Sequence, residues 1–338
     1  MQRQVSGWDR KIVPPECVAL VQAIDVRKIA LHFVVRAWRQ DGTGYTIDYG
    51  VQEVRGTTQG TDEGVDEAIQ RALASRRQAI EDEPYRTMDG NPRVIDLSLI
   101  DAGWRTEAIY GWCLEAGQQK WKPAMGFGKS AGCTSAAFHE PTRTERDKKM
   151  GQRWFLSKRP RGVWLVCTDA DHWKAWEHDH WMRDPEKPGA LFLYGHRDEQ
   201  HPERLSADQK GHFSYAKHLT AEVETEELIK GVMKRYWKSK SDTNHYFDAS
   251  YMTDVAATML GVPFLGKPVA PAAMTVNDWL AARPKNGSSK IGANWKPSKK
   301  KSIERIDGIT ALIMALDRAS TQPLAGTSVY DSRGVLWF

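Results

Sequence analysis

Val18-Ala-Leu-Val-Gln-Ala-Ile24, with Asp25 directly after it, is the stretch on which the fold turns. It is short, continuous and apolar, as a strand buried on both faces is, and it delivers a carboxylate at its tip. An isolated charge at the end of a buried strand is costly unless something pairs with it. Working outward, residues 29–38 alternate and are rich in β-branched and aromatic side chains. Asp41-Gly-Thr-Gly44 then turns the chain into Tyr45-Thr-Ile-Asp-Tyr-Gly-Val51. Three strands joined by tight turns predict an antiparallel meander.

Residues 62–83 carry Val65, Ala68, Ile69, Ala72 and Leu73 at helical spacing, which predicts an amphipathic helix on one sheet face. The next strand, 93–100, again ends on an acid, Asp101. Ala-Gly and a helix over 106–116 follow, as a parallel crossover requires. Residues 126–160 are rich in Gly, Ser, Thr, Lys and Arg and are expected to form a loop-rich insertion. Beyond it the reading is a core strand at 163–167, a polar helix at 171–182, a short strand at 191–194, a helix at 209–217 and an extended piece at 232–238. Asn244-His-Tyr-Phe-Asp248 opens an apolar helix that Gly261 and Pro263 end. The expected organisation is one α/β domain over 1–265, a basic Pro/Gly/Ser/Lys linker over 266–302, and a C-terminal helix and tail over 303–338. That last helix bears Ile306, Ile309, Leu312, Ile313 and Leu316 on one stripe.

The bulk properties fit this plan. The chain has 338 residues with 41% hydrophobic content, enough for a sizeable core. Its apolar runs fall far short of the ~20 residues that span a bilayer, and its start does not read as a signal peptide. The four cysteines, Cys17, Cys113, Cys133 and Cys167, show no metal or redox spacing. A net charge of +5 is unevenly spread: Lys299, Lys300 and Lys301 lie in a basic run that suits phosphate contact or, equally, a solvated linker. Fourteen tryptophans offer base-stacking surface, although most tryptophans in a folded domain serve the core.

Phosphodiester chemistry with two hard cations needs carboxylates converging from separate parts of a chain. Asp25 ends the first buried strand, Asp101 ends a later one, and Asp248 lies in the first turn of a late helix beside His245. Singly, each reads as readily as a cap, a turn residue or an ion-pair partner. Asp96 competes with Asp101, but strand alternation sends it to the opposite face. Glu107 and Asp254 are more distant reserves.

The order of these elements resembles ribonuclease H-like nucleases: an acid on the first strand of a meander, a second acid after the fourth strand, a third on a late helix. More narrowly, the chain is similar to the nuclease portion of the large terminase subunit of tailed phages, of the lambda-like type. The resemblance rests on Ala23-Ile-Asp-Val26 running into Leu31-His-Phe-Val-Val-Arg-Ala-Trp38, on Tyr45-Thr-Ile-Asp-Tyr-Gly50, on Ile100-Asp-Ala-Gly103 with Thr106, and on Asn244-His-Tyr-Phe-Asp248. It spans about residues 12–262. It implies a mixed sheet with helices on both faces, and Asp25, Asp101 and Asp248 as ligands of two Mg²⁺ or Mn²⁺ ions, with His245 behind them. The implied activity is endonucleolytic cutting of concatemeric double-stranded DNA in the cytoplasm of an infected bacterium. Partners would be a terminase ATPase domain or chain, the small terminase subunit and the portal. Asp307, in Ile306-Asp-Gly-Ile-Thr310, rivals Asp248 as third ligand. Other classes stay open: a resolvase or integrase-like nuclease, and a DNA-binding or docking module of the motor that does not cut.

Three further features invite a reading. Gly126-Phe-Gly-Lys-Ser130 echoes a phosphate-binding loop, but Pro123 stands where its first glycine belongs and no strand is expected before it. Lys129, with Lys120 and Lys122, is instead expected to meet the DNA backbone. His172, His178 and His180 do not share one helical face, so a solvated helix is the expectation there rather than zinc.

Overall fold

In the computed structural model, which describes residues 4–57, 61–128, 137–141, 150–201, 204–229 and 232–264, the chain opens with β1 (Ile12–Val13) and the strand of Asp25, β2 (Cys17–Val26). β3 (Ala30–Arg39) and β4 (Gly44–Glu53) complete the predicted meander. Then follow α1 (Val65–Asp82), β5 (Tyr85–Thr87), β6 (Pro92–Arg93), β7 (Leu97–Asp101), α2 (Thr106–Ala116) and β8 (Trp121–Phe127). β9 (Met150–Gly151), β10 (Trp154–Lys158), β11 (Trp164–Asp169), α3 (Ala170–Met182) and β12 (Leu191–Leu193) come next. The described chain closes with α4 (Ala207–Gly211), α5 (Phe213–Leu219), β13 (Glu222–Ile229), β14 (Val232–Ser239) and α6 (His245–Met259).

Nine strands form one mixed sheet in the order β12-β4-β3-β2-β7-β8-β11-β10-β9. β2, β3 and β4 pair antiparallel, while β2, β7, β8 and β11 are mutually parallel. Parallel neighbours cannot be joined by a tight turn, and α1 and α2 lie in the two connections that lead to β7 and β8. Strand alternation then divides β2 between two cores. Leu20, Ile24 and Val26 face the layer of α1 and α2, and Ala19, Val21 and Ala23 face the layer of α3, α5 and α6. The protein is therefore a mixed α/β fold with helices on both sheet faces. Among the described residues no helix is long and apolar enough to cross a membrane.

The second layer is fastened by charge. Arg36 of β3 is wholly buried, with Nη1 2.8 Å from Glu177 of α3 and 2.6 Å from Asp254 of α6. Asp254, a reserve acid at the sequence level, is thus committed to a structural triad. Three buried tryptophans, Trp38, Trp173 and Trp176, pack in the same layer, as the core reading of that residue anticipates.

Several expectations need correction. The segment 126–160 is not all loop, because it begins with the end of β8 and closes with β9 and β10, and β10 pairs with β11 over five residues. A strand does precede Gly126. Pro123 and Gly126 argue against one locally, but burial between β7 and β11 overrides that preference. The helix expected at 209–217 is two short ones, the first held by a capping box between Ser206 and Gln209. The piece at 232–238 is half of a hairpin whose other strand, β13, is too acidic to have been read as extended. The last helix and the basic run lie outside the described residues.

Candidate active site

Parity and register bring the acids together. β2 and β7 are paired as far as Ile24 and Ile100, so Asp25 and Asp101 stand one step beyond on neighbouring parallel strands. Both have the parity of the face covered by α6, which packs across β2, β3 and β7. The N-terminal turn of α6 places His245 and Asp248 there, where a helix end favours negative charge. Opposite Asp25 in the antiparallel pair β2–β3 stands His32, a side chain the sequence reading passed over.

Asp25 is 1% exposed. Its Oδ2 lies 3.0 Å from Arg27 Nε and 3.1 Å from His245 Nδ1, and its Oδ1 is buried without a hydrogen-bond partner. Asp101 Oδ1 accepts from the Gly103 N–H at 3.1 Å. Burial, then the nearby charge of Asp25, pushes the Asp101 carboxyl up to about 7, against the pull of that N–H; Asp248 adds to the rise. The three carboxylates therefore repel one another across one space.

Asp248 is held differently. Its Oδ1 is 2.9 Å from Lys174 Nζ, and its Oδ2 accepts from Asn244 Nδ2 at 2.8 Å. The same two donors reach Glu222 at the foot of the β13–β14 hairpin, Lys174 at 2.7 Å and Asn244 through its amide. Lys174, Glu222, Asn244 and Asp248 thus close a ring in which both oxygens of each carboxylate are satisfied. Burial still raises the Asp248 carboxyl, with Lys174 opposing and Asp25 and Glu222 reinforcing the rise. Arg27 Nη2 stands 3.8 Å from Asp248, so this guanidinium faces two of the acids.

Three imidazoles gather beside Asp25. His32 and His245 have ring centroids 4.3 Å apart, and His218 of α5 lies 5.9 and 5.6 Å from them. Burial, then the charge of His245, lowers His32 and His218 to about 4, so both are neutral near pH 7. His32 Nδ1 is buried and has no partner, whereas His218 Nδ1 accepts the Tyr246 backbone N–H at 3.2 Å. Asp25, His32 and His245 each offer one ligand atom, and these lie within 4.8 Å of one another.

Other sequence candidates are elsewhere. Asp96 accepts the Leu20 backbone N–H at 2.8 Å and pairs with Arg93 at 3.2 Å, at the far end of β2 from Asp25 and about 16 Å of strand away. Lys120 and Lys122 sit at the start of β8, whereas the register pairs Asp101 with Ala124 further along; the Lys122 ammonium is on the Gln118 carbonyl. Glu107 is exposed on α2. Lys129, Lys299, Lys300, Lys301 and Asp307 lie outside the described residues. The three histidines of α3 are not gathered: His178 contacts the Leu219 carbonyl at 2.7 Å, His180 the Gly189 carbonyl at 2.5 Å, and His172 packs edge-on to Trp173.

Residues 1–268 match the endonuclease domain of the terminase large subunit gpA. The chain belongs to that family. Membership in the gpA endonuclease-domain family covers the whole of the described sheet and all three acids. Comparison with curated proteins gives no match. Among solved structures, an exopolyphosphatase from Cytophaga hutchinsonii is similar at 14% identity, over 32% of this chain and 34% of that one, with a TM-score of 0.21. A likeness that slight carries no argument about fold or chemistry.

Proposed function

We propose that this chain is the metal-dependent endonuclease of a phage packaging terminase and hydrolyses phosphodiester bonds in concatemeric double-stranded DNA. The observation that carries this reading is the pair Asp25 and Asp101, side by side on neighbouring strands, with Asp25 Oδ1 buried and unpartnered and Asp101 raised towards neutrality. A buried lone pair left unsatisfied costs roughly 1–3 kcal/mol, and a divalent cation is the group that would satisfy it while relieving the repulsion between the carboxylates. The central order β4-β3-β2-β7-β8 supports a ribonuclease H-like reading of the sheet, with the nuclease domain over 1–265.

Asp25 and Asp101 would hold Mg²⁺ or Mn²⁺, with Asp248 as the third acid once Lys174 shares it. The ion would supply a Lewis acid, lowering the pKa of attacking water and stabilising the departing 3′ oxygen. Arg27 balances Asp25 and Asp248 and, being 44% exposed at its side chain, is placed to meet a phosphate. Lys174 and Asn244 keep Asp248 aimed inward. Within the terminase, the ATPase domain or chain would present the duplex, with the small subunit and portal beside it in the cytoplasm of the infected host.

The test is incubation of supercoiled plasmid with the protein in Mg²⁺ or Mn²⁺. Cutting lost in Asp25→Ala and Asp101→Ala supports the assignment, and cutting that survives both removes it. Tight, salt-sensitive DNA binding with no cutting at any metal concentration would point to a docking module instead. Preference for branched over linear duplex would point to a resolvase-like enzyme.

A further inference from the structure

We propose that Asp25, His32 and His245 form a mixed oxygen–nitrogen position for one divalent ion, and that this position selects Mn²⁺ or Co²⁺ over Mg²⁺. The proposal rests on the reading of Asp25 as a metal ligand and not on the reading that the chain cuts DNA.

The placement is built into the sheet. Asp25 and His32 are direct partners across the β2–β3 ladder, so their side chains leave the same face, and the first residue of α6 sets His245 over them. One ligand atom from each lies within 4.8 Å of the other two. Around an ion with bonds of about 2.1 Å, ligand atoms are about 3.0–4.3 Å apart, so a separation at the 4.8 Å limit needs to close by about 0.5–1.8 Å. Two buried atoms in this group have no hydrogen-bond partner: Asp25 Oδ1, on a side chain 99% buried, and His32 Nδ1. A third feature marks where the cation belongs. Arg27 Nε is 3.0 Å from Asp25 Oδ2 and 3.1 Å from His245 Nδ1, so one N–H serves a carboxylate and an imidazole together. A guanidinium fills that role here, and a metal ion between the same two lone pairs would release Arg27 to solvent.

The donor set decides the ion. Mg²⁺ takes oxygen ligands in near-ideal octahedral geometry and keeps much of its water, whereas imidazole nitrogen suits the transition ions. Of the two further acids on this side, Asp248 has both oxygens committed to Lys174 and Asn244, and Asp101 adds one carboxylate whose Oδ1 already accepts the Gly103 N–H, so an ion here would meet two imidazole nitrogens beside its carboxylate oxygens.

The experiment is Mn²⁺ titration of the metal-free full chain, followed by electron paramagnetic resonance, with electron spin-echo envelope modulation on the bound ion. The wild type is expected to show ¹⁴N coupling from imidazole. His32→Gln and His245→Gln should each weaken Mn²⁺ binding by about tenfold or more, while Mg²⁺ affinity measured by competition changes less than threefold. Circular dichroism identifies any variant that fails to fold, and in that event the nitrogen coupling of the wild type decides alone. Absence of Mn²⁺ binding, an oxygen-only spectrum, or wild-type Mn²⁺ affinity in a folded His32→Gln would overturn the proposal. Plasmid cutting with an oxygen-only ion would leave the nuclease reading intact and remove this one. Nitrogen-coupled Mn²⁺ without cutting would do the reverse.

Discussion

Asp101→Asn should make the metal-free protein more stable at alkaline pH. Burial and the charge of Asp25 raise the folded-state carboxyl from 3.8 to about 7. A carboxyl raised on folding favours the native state while protonated; that contribution is complete below about pH 4 and lost as pH climbs through about 7. A rise of that size is worth about 4 kcal/mol, and because Asp101 retains some contact with water about 2–3 kcal/mol is the figure expected. Urea unfolding in chelator at pH 4.5 and pH 8.5 reads it directly. Wild type and Asp101→Asn should differ by no more than about 1 kcal/mol at the acid pH, and at the alkaline pH the variant should be the more stable by about 2–3 kcal/mol. Subtracting one protein from the other cancels the titration of every shared group that lies beyond the reach of the Asp101 charge. Adding Mn²⁺ at pH 8.5 should then stabilise the wild type more than the variant, narrowing the gap between them. Equal pH dependence in the two proteins, or a variant less stable than wild type in chelator at pH 8.5, would refute the account of the site as a space overloaded with negative charge.

Other substitutions probe its supports. Arg36→Ala leaves Glu177 and Asp254 buried without their cation and should cost about 3–5 kcal/mol in urea unfolding. Lys174→Met opens the ring that orients Asp248, and plasmid cutting should fall about tenfold or more even where a melting curve shows the fold intact. A Cβ on Gly126 would overlap the Tyr251 hydroxyl, so Gly126→Ala should cost about 1–3 kcal/mol and shift the fluorescence and near-ultraviolet dichroism of the aromatic layer.

The meander, α1 and α2 were legible because each combines a clear period with turn or cap residues, and α2 is observed over the same residues that its pattern predicts. Asp25 and Asp101 were visible for a related reason: a carboxylate closing an apolar strand breaks a pattern, and parity separates Asp101 from Asp96. β8 was hidden by its own residues, since Pro123 and Gly126 disfavour a strand that only its neighbours on both sides impose. β13, Glu222–Ile229, reads as a solvated acidic run until β14 is laid against it. His32 left a fainter signal. A tight turn at residues 27–30 places 25 opposite 32, so the hairpin register already held the information, but a histidine inside an apolar strand draws no attention unless its cross-strand partner is asked for. Lys174 had no signal at all, because its meaning comes from a contact that spans 48 residues of sequence, whereas Asn244 stood in the motif of Asp248 without a role of its own.

The ring of Lys174, Glu222, Asn244 and Asp248 ties the foot of a surface hairpin to an acid of the pocket. Any ion that draws Asp248 towards itself loosens Lys174 from it, and so alters what holds Glu222. Thermodynamic reciprocity makes the traffic two-way and equal in size: whatever grips or displaces the β13–β14 hairpin must change the affinity of the pocket for cations by the same factor by which cations change its own hold. The hairpin is in that sense a handle on the site, and a motor component or duplex that leaned on it would set the ion's occupancy without touching a ligand.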